Sequence, residues 1–194
     1  NTLSSNTVLN NWYGIALGFS SNNALSNNMM TGNTYNFDLG GRDSDFNNQI
    51  DTSNLVDGRP IYYIKNASNA IYDSSINAGT LYCIRCVNVT IKDMNLNKYG
   101  VGIFLWNTTG SRIQNITALN NGDGGGIYLG YSSNNTLIGN NASSNNSGGG
   151  IHLDYSSGNM LSKNIASNNN YGIYLSYSSN NTLSENYVLN NINY

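Results

Sequence analysis

The chain has 194 residues, with 8 basic and 10 acidic side chains and a net charge of −2. Charges this sparse exclude the basic stripe by which proteins bind nucleic acid, and no apolar run is long enough to cross a bilayer. The length suits a single domain over 1–194. The 40 asparagines against one proline leave two options: a disordered asparagine-rich tract, or a repeat protein that uses asparagine structurally.

In chain order, the sequence opens on Asn1, Thr2 and Leu3, without a methionine or a visible signal peptide, as a processed or excised segment would. A short alternating stretch follows at Gly14, Ile15, Ala16 and Leu17. Residues 31–59 match no repeat and hold Asp38, Asp43, Asp45, Asp51 and Asp57, half of all the acids. They read as a lateral loop leaving an otherwise regular structure. Beyond it the Gly-Ile-x-Leu pattern returns, first in degenerate form at Pro60–Tyr63 and Thr80–Cys83. It is then clear at Gly102–Leu105, Gly126–Leu129, Gly150–Leu153 and Gly172–Leu175, spaced 24, 24 and 22 residues apart.

Each repeat carries three short apolar stretches with period-two alternation, which marks strands rather than helices. Strands that recur once per 22 to 24 residues stack on their own copies. The predicted fold is all-β: a right-handed, three-sided parallel β-helix whose turns rise by about 4.8 Å.

The columns test that register. Eight residues after the repeat glycine stand only Asn or Gly: Asn22, Asn88, Gly110, Asn134, Gly158 and Asn180. Both tolerate φ > 0, so this column is a corner. Leu25, Ile91, Ile113, Leu137, Leu161 and Leu183 form an inward aliphatic stack. The next inward column holds Asn28, Met94, Ile116, Asn140, Asn164 and Asn186. An unpaired buried amide costs about 1–3 kcal/mol, so Asn140, Asn164 and Asn186 are expected to bond to one another as a ladder. Met30, Leu96, Ala118, Ala142, Ala166 and Val188 form a further apolar column. A disordered tract would not keep this agreement.

The run from Tyr171 to Leu183 (YGIYLSYSSNNTL), the segment from Gln49 to Tyr63 (QIDTSNLVDGRPIYY) and the stretch from Asn88 to Asp93 (NVTIKD) resemble the NosD-like β-helix repeats. The resemblance covers nearly the whole chain. It implies the β-helix fold and a surface protein of the kind abundant in methanogenic archaea. The family name implies copper handling, for which few suitable donors stand in this sequence.

Candidate chemistry is thin. Cys83 and Cys86 form a Cys-x-x-Cys pair, open to a structural role in the core and corner columns, to a disulfide, or to a metal site. His152 is the only histidine, two residues from Asp154 on one outward face. Together they are a weak acid/base candidate for a polysaccharide lyase or glycoside hydrolase. From Gly102 onward the acids are only Asp123, Asp154 and Glu185. Asp43 and Asp45, with Arg42, are a weak metal or active-site candidate in the loop. Eight sequons, at Asn66, Asn88, Asn107, Asn115, Asn134, Asn141, Asn145 and Asn180, would accept glycans in a secreted protein.

The outward aromatic columns carry the stronger signal. One holds Phe104, Tyr128, His152 and Tyr174, and the other Tyr131, Tyr155 and Tyr177. Such stripes bind sugar rings or another protein, or merely stack on themselves. The expected function is a non-enzymatic extracellular module, structural or adhesive, that needs no cofactor. Its partners would be its own copies, other surface proteins or polysaccharide. The chain also begins and ends inside a repeat, since Asn1–Leu3 matches Asn181–Leu183, so a fragment or an end-to-end assembling subunit is expected. The alternatives are a carbohydrate-active enzyme or glycan binder with its site between the aromatic face and the segment 31–59, and a periplasmic-type copper-binding protein.

Overall fold

The computed structural model describes residues 1–194 except 123, 146, 147 and 194. It is a parallel β-solenoid of strands two to seven residues long. Among the described residues, helical structure is limited to two short 3-10 segments, Asp43–Phe46 and Ser74–Ile76.

From Arg59 onward the coil has three sides. The front sheet stacks Arg59–Lys65, Thr80–Ile84, Val101–Trp106, Gly125–Gly130, Ile151–Asp154 and Ile173–Ser176. A second sheet runs from Ile71–Tyr72 to Thr182–Ser184, and a third from Asn95–Asn97 to Tyr187–Leu189. The expected columns are in register. Ile103, Ile127, Ile151 and Ile173 pair in sequence, as do Ile91, Ile113, Leu137, Leu161 and Leu183. Burying each such side chain contributes about 1.5–3 kcal/mol, and most of these are wholly buried.

The corners behave as their residues require. Asn88, Gly110, Asn134, Gly158 and Asn180 have φ of 52°, 60°, 58°, 70° and 54°. The repeat glycine answers a different demand. A Cβ on Gly102 would lie 2.6 Å from the carbonyl oxygen of Gly126, and one on Gly126 would lie 2.8 Å from that of Gly150. Successive turns approach too closely there for any side chain.

The asparagine ladder forms as expected. The backbone N and the Nδ2 of Asn140 both donate to Oδ1 of Asn164, at 3.0 and 2.9 Å, and Asn164 repeats the pattern on Asn186. Each Nδ2 also donates to a carbonyl of the preceding turn, as Asn164 does to Leu137 at 3.0 Å. Two further ladders were not foreseen: Asn121, Asn145, Asn169 and Asn191, and Asn135, Asn159 and Asn181. A hydroxyl ladder joins Thr108, Ser132, Ser156 and Ser178. Buried amides thus satisfy corner N–H groups that would otherwise be orphaned.

Two expectations about the N-terminal third need correction. Most of 31–59 is coil, not lateral loop. Tyr35–Gly40 pairs with Tyr13–Gly18, Gln49–Ile50 with Ala24–Ser26, and Leu55–Val56 with Met29–Thr31. The stretch 41–48, with its 3-10 turn, is the longest departure from the strands; 32–34, 51–54 and 57–58 are short turns between them. The first turns also do not stack on the columns that follow. The chain reverses at Asp57 and Gly58, whose φ values are +47° and +77°. Leu55–Val56 then pairs antiparallel with Arg59–Pro60. An Asp-Gly dipeptide with φ > 0 at both residues is the favoured two-residue hairpin turn. It sets a register in which Tyr62, rather than Ile61, lies opposite Leu81. The degenerate copy at Pro60 is therefore one residue out of the expected alignment. Two coils result, residues 1–57 and 59–193, sharing one nine-stranded sheet.

Candidate functional site

The first coil ends against the outer face of the second. Phe37, wholly buried, meets Tyr82 edge-on at 5.6 Å, and the N–H of Gly100 donates to its carbonyl at 3.0 Å. Phe46, on the 3-10 turn, packs at 5.3 Å from Phe104 and 4.6 Å from Trp106. Lys65 Nζ donates to the carbonyl of Asn48 at 2.7 Å. The outward aromatic column is therefore covered at its start: Tyr82 is 0% exposed and Phe104 and Trp106 are each 6% exposed. Phe104, expected on a binding face, belongs to this seam.

Beyond the seam the face opens. Tyr128 is half-buried, its hydroxyl donating to Asp154 at 3.3 Å, and burial pushes its pKa upward. His152 sits between Tyr128 and Tyr174, with ring centroids 5.1 and 4.8 Å away. Its Nε2 is buried without a hydrogen-bond partner, and burial lowers its pKa, favouring neutral imidazole. No hydrogen bond joins His152 to Asp154 among the described residues. Gly130 and Ser176 flank Asp154 on adjacent strands, and Asp123 lies outside the described residues. The acid/base pair is thus not assembled: its carboxylate is engaged by a phenol and its base is packed between rings.

Tyr131, Tyr155 and Tyr177 form the exposed row. Their rings stack at 4.9 and 4.7 Å with interplanar angles of 5° and 11°. All three have left-handed backbone, with φ of 49°, 47° and 46°. The same corner holds Asn66, Arg85 and Asn107 on preceding turns. A bulky residue at φ > 0 is rare and strained by about 1–2 kcal/mol, so three successive tyrosines here mark a position held against local preference.

The row runs into the segment after Gly40. Arg42, Asp43, Trp106, Asn107, Tyr131 and Tyr155 line an open cleft of about 540 Å³. The exposed tyrosine row and the start of the 3-10 segment thus meet at this cleft. Asp43 is not free for a metal: it pairs with Arg85 at 2.8 Å and accepts from Trp106 Nε1 at 3.1 Å. Asp45 accepts from the Arg42 backbone N–H at 2.8 Å. Trp106 and Phe46 were missed in the sequence, because Trp106 reads as one more apolar residue ending a repeat strand and Phe46 as a lone apolar residue within a loop.

Cys83 and Cys86 are joined in a disulfide and wholly buried, which resolves the open alternatives and removes both thiols as ligands. Cys83 stands in the column of Leu105, and the N–H of Cys86 donates to Thr108 Oγ1 at the corner. Of the sequons, Asn66, Asn88, Asn107, Asn115, Asn134 and Asn180 are exposed and Asn141 is half-buried. Asn145 is a correction: it is 1% exposed and a rung of a ladder, so in the folded coil its amide is engaged inside.

A family model described as NosD, periplasmic copper-binding protein, matches residues 46–194. The match covers most of the chain, which therefore belongs to the NosD family. That family is described as periplasmic, which agrees with a place in the cell envelope or outside it. No curated protein and no solved structure matches the chain. No helix among the described residues is long and apolar enough to cross a membrane.

Proposed function

We propose that the chain is a non-enzymatic, adhesive β-helix module of the cell envelope that holds an extended polysaccharide along the tyrosine row. The observation that carries this reading is the row itself. Three exposed tyrosines occupy a corner where asparagine costs least, and they repeat at the spacing of the strands. Phenol rings offer apolar area to the C–H faces of sugars and a hydroxyl to their oxygens. A rigid solenoid keeps them aligned without ordering cost on binding.

Copper is the family's described ligand, but the donors in this chain do not fit a copper site. Both cysteines are in the disulfide. The single imidazole is packed between tyrosines, Met30 and Met94 are buried in the core, and the exposed Met29 and Met160 stand on strands of different sheets. No three His, Cys, Asp or Glu residues gather among the described residues. Soft copper sites need converging thiolate, thioether or imidazole groups.

The test is affinity electrophoresis through gels cast with neutral and acidic polysaccharides. Retardation of the wild type and its loss in Tyr155→Ala and Tyr177→Ala support the reading. Equal mobility of wild type and variants in every gel rejects it.

A further inference from the structure

Resting on that glycan reading, we infer that the tyrosine row is closed at one end and receives the terminus of an acidic polysaccharide, with Arg42 contacting its anionic group. Followed back along the coil, the corner column passes from Tyr177, Tyr155 and Tyr131 to Asn107 and then to Arg85. Arg85 is engaged there: its guanidinium donates to both the carbonyl and the carboxylate of Asp43, at 3.1 and 2.8 Å, with 34% of the side chain still exposed. A polymer lying on the tyrosines therefore meets the segment 42–46 and stops. That segment is a firm wall. Phe46 is wholly buried beneath it, Trp106 Nε1 holds Asp43, and Asp45 holds the Arg42 backbone.

The charge at the wall selects the ligand. The Asp43 carboxylate is neutralised by Arg85. Arg42 is exposed and forms no ion pair among the described residues. Among the residues that line the cleft it is the charge without an ion pair, while Asp45, behind it in the segment, is turned to the Arg42 backbone N–H. A guanidinium matches the planar fork of a carboxylate or the oxygens of a sulfate ester. The cleft volume of about 540 Å³ lies within the range of about 300–1,000 Å³ typical of small-ligand sites, suited to a short terminal segment rather than a passing chain.

The experiment is calorimetric titration with three oligosaccharide series of graded length: oligogalacturonides, their methyl esters, and sulfated neutral glucans. We expect one module per chain at every length. We also expect a preference for one of the acidic series of about tenfold or more, the value of a charge-assisted hydrogen bond; the preferred series identifies the anion as carboxylate or sulfate. Arg42→Gln should remove that preference, bringing the acidic series level with the methyl esters. Stoichiometry that climbs with chain length overturns the inference, as does an acidic preference that survives in Arg42→Gln. If instead no series binds the wild type, the glycan reading itself fails. If Tyr155→Ala weakens every series while modules accumulate along long chains, that reading stands and only the closed end is lost.

Discussion

The two coils use the same devices to different ends. Both stack short strands on asparagine rungs: Asn6, Asn28 and Asn54 in the first, Asn140, Asn164 and Asn186 in the second. The second coil is regular and keeps aliphatic residues inward. The first turns its larger residues, Phe37 and Phe46, onto the other coil's outer face. One aromatic stripe is therefore structural where a neighbour covers it and available where none does. Phe104 and Tyr174 stand in one column, and position relative to the seam leaves the first 6% and the second 39% exposed. The family match, which begins at residue 46, takes in the second coil and leaves most of the first outside.

The sharpest way to break this contrast is Phe46→Ala. It empties a buried site beside Phe104 and Trp106 and should cost about 3–5 kcal/mol. The loss should fall on the first coil, since solenoid stability is a sum over neighbouring turns. Limited proteolysis should then cut within the first 57 residues while the second coil resists. Next, Asn164→Leu strands the N–H and amide that Asn140 donates. At about 1–3 kcal/mol per unsatisfied group, denaturant unfolding should show a loss near 3 kcal/mol, placed in the second coil.

Acidification should act on the second coil through His152. Its folded pKa lies below the unfolded value of about 6.5, so the unfolded chain binds the proton more readily. The contribution of neutral His152 is complete above about pH 6.5 and is lost as pH falls from there towards the folded pKa. His152→Phe should flatten that part of the curve of thermal midpoint against pH; an unchanged slope would refute it. The smallest effect is expected from Tyr155→Asn. Relief of the left-handed backbone should offset the lost ring stacking, leaving stability within about 1 kcal/mol while glycan retardation disappears.

Much of the second coil was legible in the sequence because its signals are periodic. The Gly-or-Asn corner, the Leu161 stack and the Asn164 rung each recur often enough to be read without coordinates. The seam was not legible, because it joins residues far apart in sequence through contacts that occur once. Asp57 and Gly58 did carry a local hairpin signal, hidden inside a segment that looked like loop. The aromatic row was legible as a column, but its backbone strain was not, since tyrosine at a corner is the reverse of what propensity predicts. Nor could spacing reveal that Phe46 covers the start of the stripe.

The ladders also have an evolutionary consequence. A rung bonds only to a rung at the same height, so insertions are tolerated between rungs, as at 41–48, where Asn23 and Asn48 stay paired across 25 residues, whereas duplication of a whole turn preserves every pair. The chain carries that mark. The repeat glycine and the last rung are always 19 residues apart, from Gly102 to Asn121, Gly126 to Asn145, Gly150 to Asn169 and Gly172 to Asn191. The difference between 22- and 24-residue turns falls wholly between that rung and the next glycine. A lineage built this way can lengthen its tyrosine row one complete turn at a time, and in the repeats from Gly102 onward turn length varies between the last rung and the next glycine.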